Sequence, residues 1–239
     1  MEAPKISLIC PAYYDEANIG PLARNCVGVL RALCSDFEII IVEDGSPDAT
    51  GAAADALARE FPEITALHHP RNLGQGAALK TGVKNARFPL IAFMDGDGQY
   101  DPEDLPAMLA LLDGRHLIQG RRPAYPNGRF RSLLSKSYNI VIRSLFRAPF
   151  RDLGCSIKIF RREILDKASP NSDGIFAQGE IVLRAHLAGF GVGEADVKCY
   201  PRLGGRSHSL ALKNVLRMLA EVRKLKSDLK VNRDAAKAG

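Results

Sequence analysis

The segment PLIAFMDGDGQ (residues 89–99) decides the fold, because an apolar run of strand length passes directly into a cluster of acidic residues and glycines. The run is apolar on both faces, as is typical of a strand inside a sheet covered by helices on both sides. Two earlier segments repeat this arrangement: KISLIC (residues 5–10) leads into PAYYDEANI, and FEIIIV (residues 37–42) leads into EDGSPDAT. Ligands of open α/β sheets bind beyond the carboxyl ends of the strands, so the three clusters are expected to line one crevice.

Helical patterns alternate with these runs along the chain. Strands are predicted at residues 5–10, 37–42, 64–69, 89–94, 116–120, 156–160 and 194–200, and helices at residues 18–33, 51–61, 74–86, from 102, 130–146, 177–187 and 210–229. The alternation predicts an α/β fold with a mostly parallel sheet sandwiched by helices. The glycine-containing segment NLGQGAALKTG (residues 72–82) is either a tight turn into a helix or a loop that floors the crevice.

Composition excludes several classes of protein. No apolar run in the 239 residues reaches the ~18 needed for a spanning helix, which excludes an integral membrane protein, and the first residues do not resemble a secretion signal. The five cysteines are odd in number and lack a C-x-x-C pair, so they are expected to be reduced thiols in a cytoplasmic protein.

Charged residues are distributed unevenly along the chain. The net charge is +6, yet residues 1–114 carry −9, residues 115–167 carry +10 and residues 202–239 carry +7. The asymmetry indicates a polyanionic partner for the later part: nucleic acid, nucleotide phosphates or an anionic membrane. The sequence contains no recognised nucleic-acid-binding motif and no obvious aromatic stacking platform, so nucleic acid is not the expected partner.

The acidic cluster after residue 94 is suited to a divalent cation. Asp95, Asp97 and Gln99 are spaced by two residues, which points them to the same side of an extended segment. Carboxylate and amide oxygens suit Mg²⁺ or Mn²⁺, which commonly share their coordination with substrate phosphates. Gly96 and Gly98 are expected to leave room for a ligand close to the backbone. The alternative is a solvated acidic turn that caps the next helix.

Taken together, the ordered motifs resemble family 2 glycosyltransferases from about residue 6 to residue 208, especially dolichyl- and undecaprenyl-phosphate sugar transferases of the dolichol-phosphate mannosyltransferase type. PAYYD is similar to the motif P-x-Y-N-E, with Tyr14 and Asp15 replacing Asn and Glu. VEDGSPD is similar to V-D-D-G-S-x-D, with Glu43 replacing the first Asp, and MDGDGQ is similar to M-D-A-D-x-Q. NLGQGAA, DLGCSIKIFRRE and YPRLGGRSH are similar to other blocks of the family.

The resemblance implies a single glycosyltransferase A-type domain. The expected divisions are a nucleotide-sugar and metal half at 1–114, an acceptor half at 115–208, a basic amphipathic helix at 209–230 and a disordered tail at 231–239. The base and ribose are expected to be held by Pro11, Tyr13, Asp15, Val42 and Asp44. The diphosphate and a Mg²⁺ or Mn²⁺ ion are expected beside Asp95, Gly96 and Asp97, with Asp97 and Gln99 as the closest metal ligands. Phosphates of the donor or of a phosphorylated acceptor are expected at Arg122, Arg131, Ser135 and Arg202, with His208 in a phosphate-binding lid.

The nature of the acceptor decides whether the reaction needs a base. A lipid phosphate monoester is already a dianion at neutral pH and needs none, whereas a hydroxyl acceptor requires a carboxylate to take its proton. Asp152 is the first candidate for that base and Glu180 the second. Their structural alternatives are a salt bridge for Asp152 and a helix-surface charge for Glu180. Asp152, Asp97 and Arg122 are the expected catalytic residues.

The resulting hypothesis is a metal-dependent, inverting transfer of a hexose from a UDP- or GDP-sugar to polyprenyl phosphate. The alternative keeps the donor and changes the acceptor to a soluble hydroxyl on a glycan, a protein or a small molecule. The basic amphipathic segments at 130–146 and 210–229 either lie on an anionic membrane or pack their apolar faces on the core. The first of these arrangements would place the protein on the cytoplasmic face of the membrane.

Overall fold

The computed structural model describes residues 3–123, 129–202, 204 and 212–238. The strands are β1 (Lys5–Ala12), β2 (Asp36–Glu43), β3 (Ile64–His68), β4 (Leu90–Phe93), β5 (Leu117–Arg121), β6 (Lys158–Arg161) and β7 (Val192–Asp196). The α-helices are α1 (Ile19–Leu33), α2 (Thr50–Glu60), α3 (Gln75–Asn85), α4 (Leu105–Ala110), α5 (Arg129–Phe146), α6 (Leu165–Ala168), α7 (Ala177–Leu187) and α8 (Leu212–Ala238). Short 3₁₀ helices at Pro102–Asp104 and Arg162–Ile164 precede α4 and α6.

One sheet holds the described strands together in the order β3-β2-β1-β4-β6-β5-β7. Pairing is parallel except for β6, which runs antiparallel to both β4 and β5. Strands from the earlier and later parts of the chain share this sheet, so the described residues form a single α/β domain. The predicted fold class, a mostly parallel sheet between helices, is confirmed.

Both faces of the central strands are buried, as their continuous apolar runs predict. On β1, Ile6 and Leu8 pack into the hydrophobic cluster on one face of the sheet, whereas Ile9 packs into the cluster on the other. These side chains are fully buried, and residues of β2 and β4 extend both clusters. Burial on both faces leaves the strand ends as the places where polar side chains can gather.

The chain remains paired beyond the ends of these strands. The backbone N–H of Gly96 donates to the carbonyl of Pro11 at 2.9 Å, and that of Asp44 donates to the carbonyl of Ala12 at 3.0 Å. The three polar clusters that follow β1, β2 and β4 therefore converge at one edge of the sheet, as the sequence predicts.

Two predicted elements are wrong in extent. The last strand was predicted at 194–200, but β7 spans Val192–Asp196 because it pairs with β5, and Cys199 forms only an isolated bridge with Tyr100. The last helix was predicted at 210–229, but α8 spans Leu212–Ala238, since residues 230–238 contain no glycine or proline that would end it. Within the described ranges, no helix is both long enough and apolar enough to cross a bilayer.

Candidate active site

A group of acidic side chains occupies the edge of the sheet beyond β1 and β4. Asp15 and Asp97 are buried, and Asp95 is partly buried. Burial is the main cause that raises the pKa of Asp15 to about 7 and that of Asp95 to about 6, and the negative charge of Asp97 raises both further. A cation bound among these side chains would relieve the repulsion between the carboxylates, so the cluster favours the approach of a cation.

Arg202 supplies a positive charge to this cluster. Its Nη2 lies 2.7 Å from Oδ2 of Asp97, and its Nη1 lies 3.8 Å from Oδ1 of Asp15. The sequence predicts Arg202 as a phosphate ligand, whereas here its guanidinium contacts the carboxylates. A bound diphosphate would compete with these carboxylates for Arg202.

The metal ligands predicted from the sequence are placed together but are also engaged in protein contacts. The Gln99 side-chain amide donates to the carbonyl of Tyr200 at 3.0 Å, and the Gln99 N–H donates to Asp97 at 3.1 Å. Within the described part of the chain, no three acidic, histidine or cysteine side chains are arranged to hold a metal ion by themselves. The excess of carboxylates around the Arg202 guanidinium nevertheless fits a cation, and a divalent ion would need further ligands from the donor phosphates.

Gly96 lies close to the end of β1. A Cβ atom on Gly96 would lie 2.8 Å from the Pro11 carbonyl and 3.2 Å from Cβ of Ala12. The missing side chain therefore permits the close approach of the last residues of β1, and the predicted space for a ligand beside Gly96 stays a prediction. Gly98 adopts a φ of +69°, which glycine accepts without strain.

The residues predicted to hold the base and ribose lie around the ends of β1 and β2. The backbone N–H of Tyr13 donates to Asp15 at 3.0 Å, and the Val42 side chain is fully buried in the core. Asp44 accepts from the N–H groups of Leu73 and Gly74 at 2.9 and 2.8 Å. It thus fixes the loop before α3 to the end of β2.

His69 and Gln75 tie the same glycine-containing region to the site. His69 lies with Nδ1 2.7 Å from Asp44 and Nε2 2.9 Å from the Thr81 hydroxyl, so it connects the loop to α3. The Gln75 side chain at the start of α3 donates to Asp95. In the structure, the segment 72–82 forms a turn that leads into α3. The Gln75 side chain at the start of this helix reaches the acidic cluster.

A second charged group lies where β5 ends. The Arg122 guanidinium donates to both carboxylate oxygens of Asp152, at 2.7 and 2.8 Å, and both side chains are largely buried, with 14% and 4% of their surface exposed. The Arg122 backbone N–H also donates to Asp152 at 3.1 Å. The carboxylate therefore fixes the orientation of the arginine.

Glu180, the second candidate base, is neither a surface charge nor part of this group. It is fully buried on α7 and accepts from the N–H groups of Asn171 and Ser172 and from the Arg184 side chain. These bonds give it a role in holding the chain before α7. Burial raises the pKa of Glu180, but the hydrogen bonds outweigh burial and hold it below its usual value.

The remaining predicted phosphate ligands are less completely described. Ser135 lies on α5 and is partly buried. Arg131 lies on the same helix, but its side chain is outside the described part of the structure, and His208 lies outside the described residues altogether.

Sequence reasoning missed two groups that adjoin the site. The Ser156 side chain hydrogen-bonds to Asp95, and Lys158 on β6 is almost fully buried and donates to the Cys155 carbonyl. The charge of Lys158 in the apolar segment IKIF was the available signal for the second group.

Comparisons with known proteins identify the family. Residues 7–168 match the family described as Glycosyl transferase family 2. The chain belongs to this family. Over 169 residues it is 36% identical to dodecaprenyl-phosphate galacturonate synthase of Rhizobium johnstonii, covering 69% of this chain and 50% of that protein. Over 204 residues it is 33% identical to polyprenol monophosphomannose synthase of Mycolicibacterium smegmatis, covering 80% and 75%.

A solved structure confirms the fold. Glucosyl-3-phosphoglycerate synthase from Mycobacterium tuberculosis, in complex with Mn²⁺, UDP-glucose and phosphoglyceric acid, superimposes with a TM-score of 0.70 at 17% identity, covering 92% of this chain and 80% of that one. At 17% identity, this similarity shows only that the two proteins share a fold. The family resemblance predicted from the motifs is thus confirmed, as is the glycosyltransferase A-type architecture. The chain spans about half the length of several curated relatives that it matches.

Proposed function

We propose that this family 2 glycosyltransferase moves a hexose from a UDP- or GDP-sugar to a polyprenyl phosphate. The observation that carries the choice of acceptor is the buried pair of Asp152 and Arg122. Both oxygens of Asp152 are engaged by Arg122, so this carboxylate is better suited to positioning the arginine than to taking a proton. A phosphate acceptor needs no base, and both relatives described above are named for polyprenyl-phosphate or polyprenol products.

The donor diphosphate is assigned to the acidic cluster together with Mg²⁺ or Mn²⁺. Asp95, Asp97 and Gln99 would hold the ion, and bound there it would neutralise charge on the leaving diphosphate. With the ion bound, its charge would balance the carboxylates, so the Arg202 guanidinium would be able to leave Asp97 and bind a donor phosphate oxygen. Support comes from the acidic side chains gathered in the cluster and from the guanidinium that already lies within it.

The proposed reaction is a single displacement. A phosphate oxygen of the acceptor attacks the anomeric carbon and forms the new C–O bond, while the bond from that carbon to the diphosphate oxygen breaks. The nucleoside diphosphate leaves with the electron pair, and attack from the opposite side inverts the anomeric carbon. Arg122 would bind the acceptor phosphate in the orientation that Asp152 imposes on it.

The outer faces of α5 and α8 support a membrane location for the acceptor. On α5, Leu133, Ile140 and Val141 are 62%, 64% and 54% exposed, and Lys136 and Arg143 on the same helix are also exposed. On α8, Leu216 and Leu219 are exposed among basic residues. Exposed apolar side chains with a basic rim suit the headgroup layer of an anionic bilayer, so we place the protein at the cytoplasmic membrane face.

Vesicle flotation tests this location. Ile140→Glu and Val141→Glu should each weaken binding to vesicles of phosphatidylcholine and phosphatidylglycerol, because a carboxylate replaces an apolar contact. Leu111→Glu is the matched control, since Leu111 is 41% exposed but lies outside α5 and α8. Equal binding by all three variants would contradict the location.

A soluble hydroxyl acceptor is the second candidate function. The solved complex that shares this fold contains phosphoglyceric acid, a soluble molecule that carries a hydroxyl group. For this chain the candidate would require a carboxylate to take a proton, and Asp152 would first have to release Arg122. The phosphate acceptor agrees better with the observed contacts.

Thermal unfolding tests the donor site without any acceptor. A nucleotide at about 100 times its Kd should stabilise the fold by about 2.7 kcal/mol, which corresponds to a rise of about 5–11 °C in Tm. UDP and GDP should be compared with and without Mn²⁺, and the true base should give the larger rise when the metal is present. Asp97→Asn should lose the effect of Mn²⁺. No rise with either nucleotide would overturn the donor assignment.

A further inference from the structure

Lys158 is an unusual charge inside the sheet. It is 1% exposed and lies on β6, between β4 and β5. Its ammonium donates to the backbone carbonyl of Cys155, rather than to a carboxylate among the described residues. Burying an ammonium in this way carries a large desolvation cost, which core packing alone would not require.

Gln119 contacts the same loop from the neighbouring strand. Gln119 is paired in register with Lys158, so the two side chains lie on the same side of the sheet. The Gln119 amide nitrogen lies 2.8 Å from the carbonyl of Asp152 and 3.1 Å from that of Cys155. Two buried donors on adjacent strands thus hold the backbone of the segment 152–156, which we call the bridging loop.

The bridging loop connects the two charged groups of the site. At its first residue, Asp152 orients Arg122. At its last residue, the Ser156 side chain bonds to Asp95, and the Ser156 N–H donates to the Tyr100 hydroxyl at 3.2 Å. The position of this loop therefore relates the proposed acceptor group to the proposed donor group.

The charges around Lys158 belong to the same two groups. Burial lowers the pKa of Lys158 to about 8, and Arg122 lowers it as well, whereas Cys155, Asp95 and Asp152 act to raise it. The ammonium is thus placed within the electrostatic reach of both the donor and the acceptor carboxylates.

We propose that Lys158 is a positioning residue for sugar transfer: with Gln119, it fixes the bridging loop so that Arg122 and Asp95 keep the separation that the reaction requires. This inference rests on the proposed function, because the two groups are taken as acceptor and donor sites. Lys158 acts through the loop and need not touch substrate.

Steady-state kinetics of Lys158→Met and Lys158→Arg test the role. Displacement of a positioning group by about 1 Å costs about 100-fold in rate, so Lys158→Met should lower kcat/KM for the phosphorylated acceptor by about that factor. The KM for the nucleotide-sugar should change less than threefold, because Gln75 still holds Asp95. The kcat/KM of Lys158→Arg for the phosphorylated acceptor should be at least tenfold higher than that of Lys158→Met. Arg161→Met is the control, since Arg161 lies exposed on the same strand.

Hydrogen exchange supplies a readout that needs no activity. Amides of the peptide 150–157 should exchange at least tenfold faster in Lys158→Met than in the wild type or in Arg161→Met. If Lys158→Met does not fold, Gln119→Met, which removes the other buried donor to the bridging loop, is measured instead and should speed exchange of the same amides. Unchanged exchange, or equal losses for donor and acceptor, would overturn the role of Lys158. An inactive wild type would overturn the proposed function, and the exchange rates would still decide whether Lys158 fixes the loop.

Discussion

Replacing Asp152 and Arg122 singly and together separates a positioning role of Asp152 from a base role. The pair is buried and joined by two short hydrogen bonds, so removing one partner leaves the other charge uncompensated. Breaking such a pair costs about 3–5 kcal/mol of folding stability. Asp152→Asn and Arg122→Gln should each lower Tm by about 6–20 °C, so rates must be measured well below that range.

The kinetic magnitude follows from the geometry. If Asp152 acts by orienting Arg122, each single substitution should lower kcat/KM for the phosphorylated acceptor by about 100-fold. The double variant should be no slower than Arg122→Gln alone, which corresponds to a coupling of about 2.7 kcal/mol between the two residues. If Asp152 were a general base, its removal would cost a further 100-fold to 10,000-fold, approximately, even without Arg122.

The assay is initial-rate transfer of labelled sugar into an organic-soluble product. Arg121 and Asp196 form the matched control pair, since they are joined in the same bidentate manner one residue away but are more exposed. Arg121→Gln with Asp196→Asn should leave the rate within about threefold. Losses that multiply in the double variant of Asp152 and Arg122 would refute the positioning role.

Two further substitutions probe the charges around the site and the core. Arg202→Gln should raise the affinity of the nucleotide-free protein for Mn²⁺ about fivefold, as expected from the loss of an ion pair with Asp97 of about 1 kcal/mol. Lys198→Gln is the control and should leave the affinity unchanged. Electron paramagnetic resonance of free Mn²⁺ measures the affinity, and an unchanged value in Arg202→Gln would contradict competition between Arg202 and the ion for Asp97. Burial raises the pKa of Glu38, but hydrogen bonds from the Ser7 hydroxyl and from Arg87 outweigh the effect of burial and hold this pKa below its usual value. Glu38→Gln should therefore cost about 1–3 kcal/mol in urea unfolding at pH 7, and the difference should shrink as the pH falls below about 4; a pH-independent difference would contradict this.

The sequence predicts the central sheet well because its signals there are local. The runs that form β1, β2 and β4 are apolar throughout, and the helix predicted at 177–187 agrees with α7. The end of the sheet is less predictable, because the extent of β7 depends on its pairing with β5. The antiparallel direction of β6 is likewise a property of the assembled sheet.

The sequence likewise predicts the place of some residues of the candidate site better than that of others. Asp95 and Asp97 follow an apolar strand directly, so their place at the strand ends is a local property. The contact of Arg202 with Asp97 joins distant segments of the chain and depends on how the residues after β7 return across the sheet. The burial of Lys158 depends equally on the assembled sheet, in which β6 lies between β4 and β5, and no spacing in the sequence predicts it.

Transfer of label to a matched pair of lipids tests the central claim most directly. The protein is incubated with Mn²⁺, labelled UDP- or GDP-sugars and a polyprenol of one chain length, supplied with and without its phosphate. The account predicts organic-soluble label from one class of donor, dependent on the metal, with the phosphorylated lipid alone. Equal labelling of the unphosphorylated polyprenol, or no labelled lipid from any donor, would contradict it.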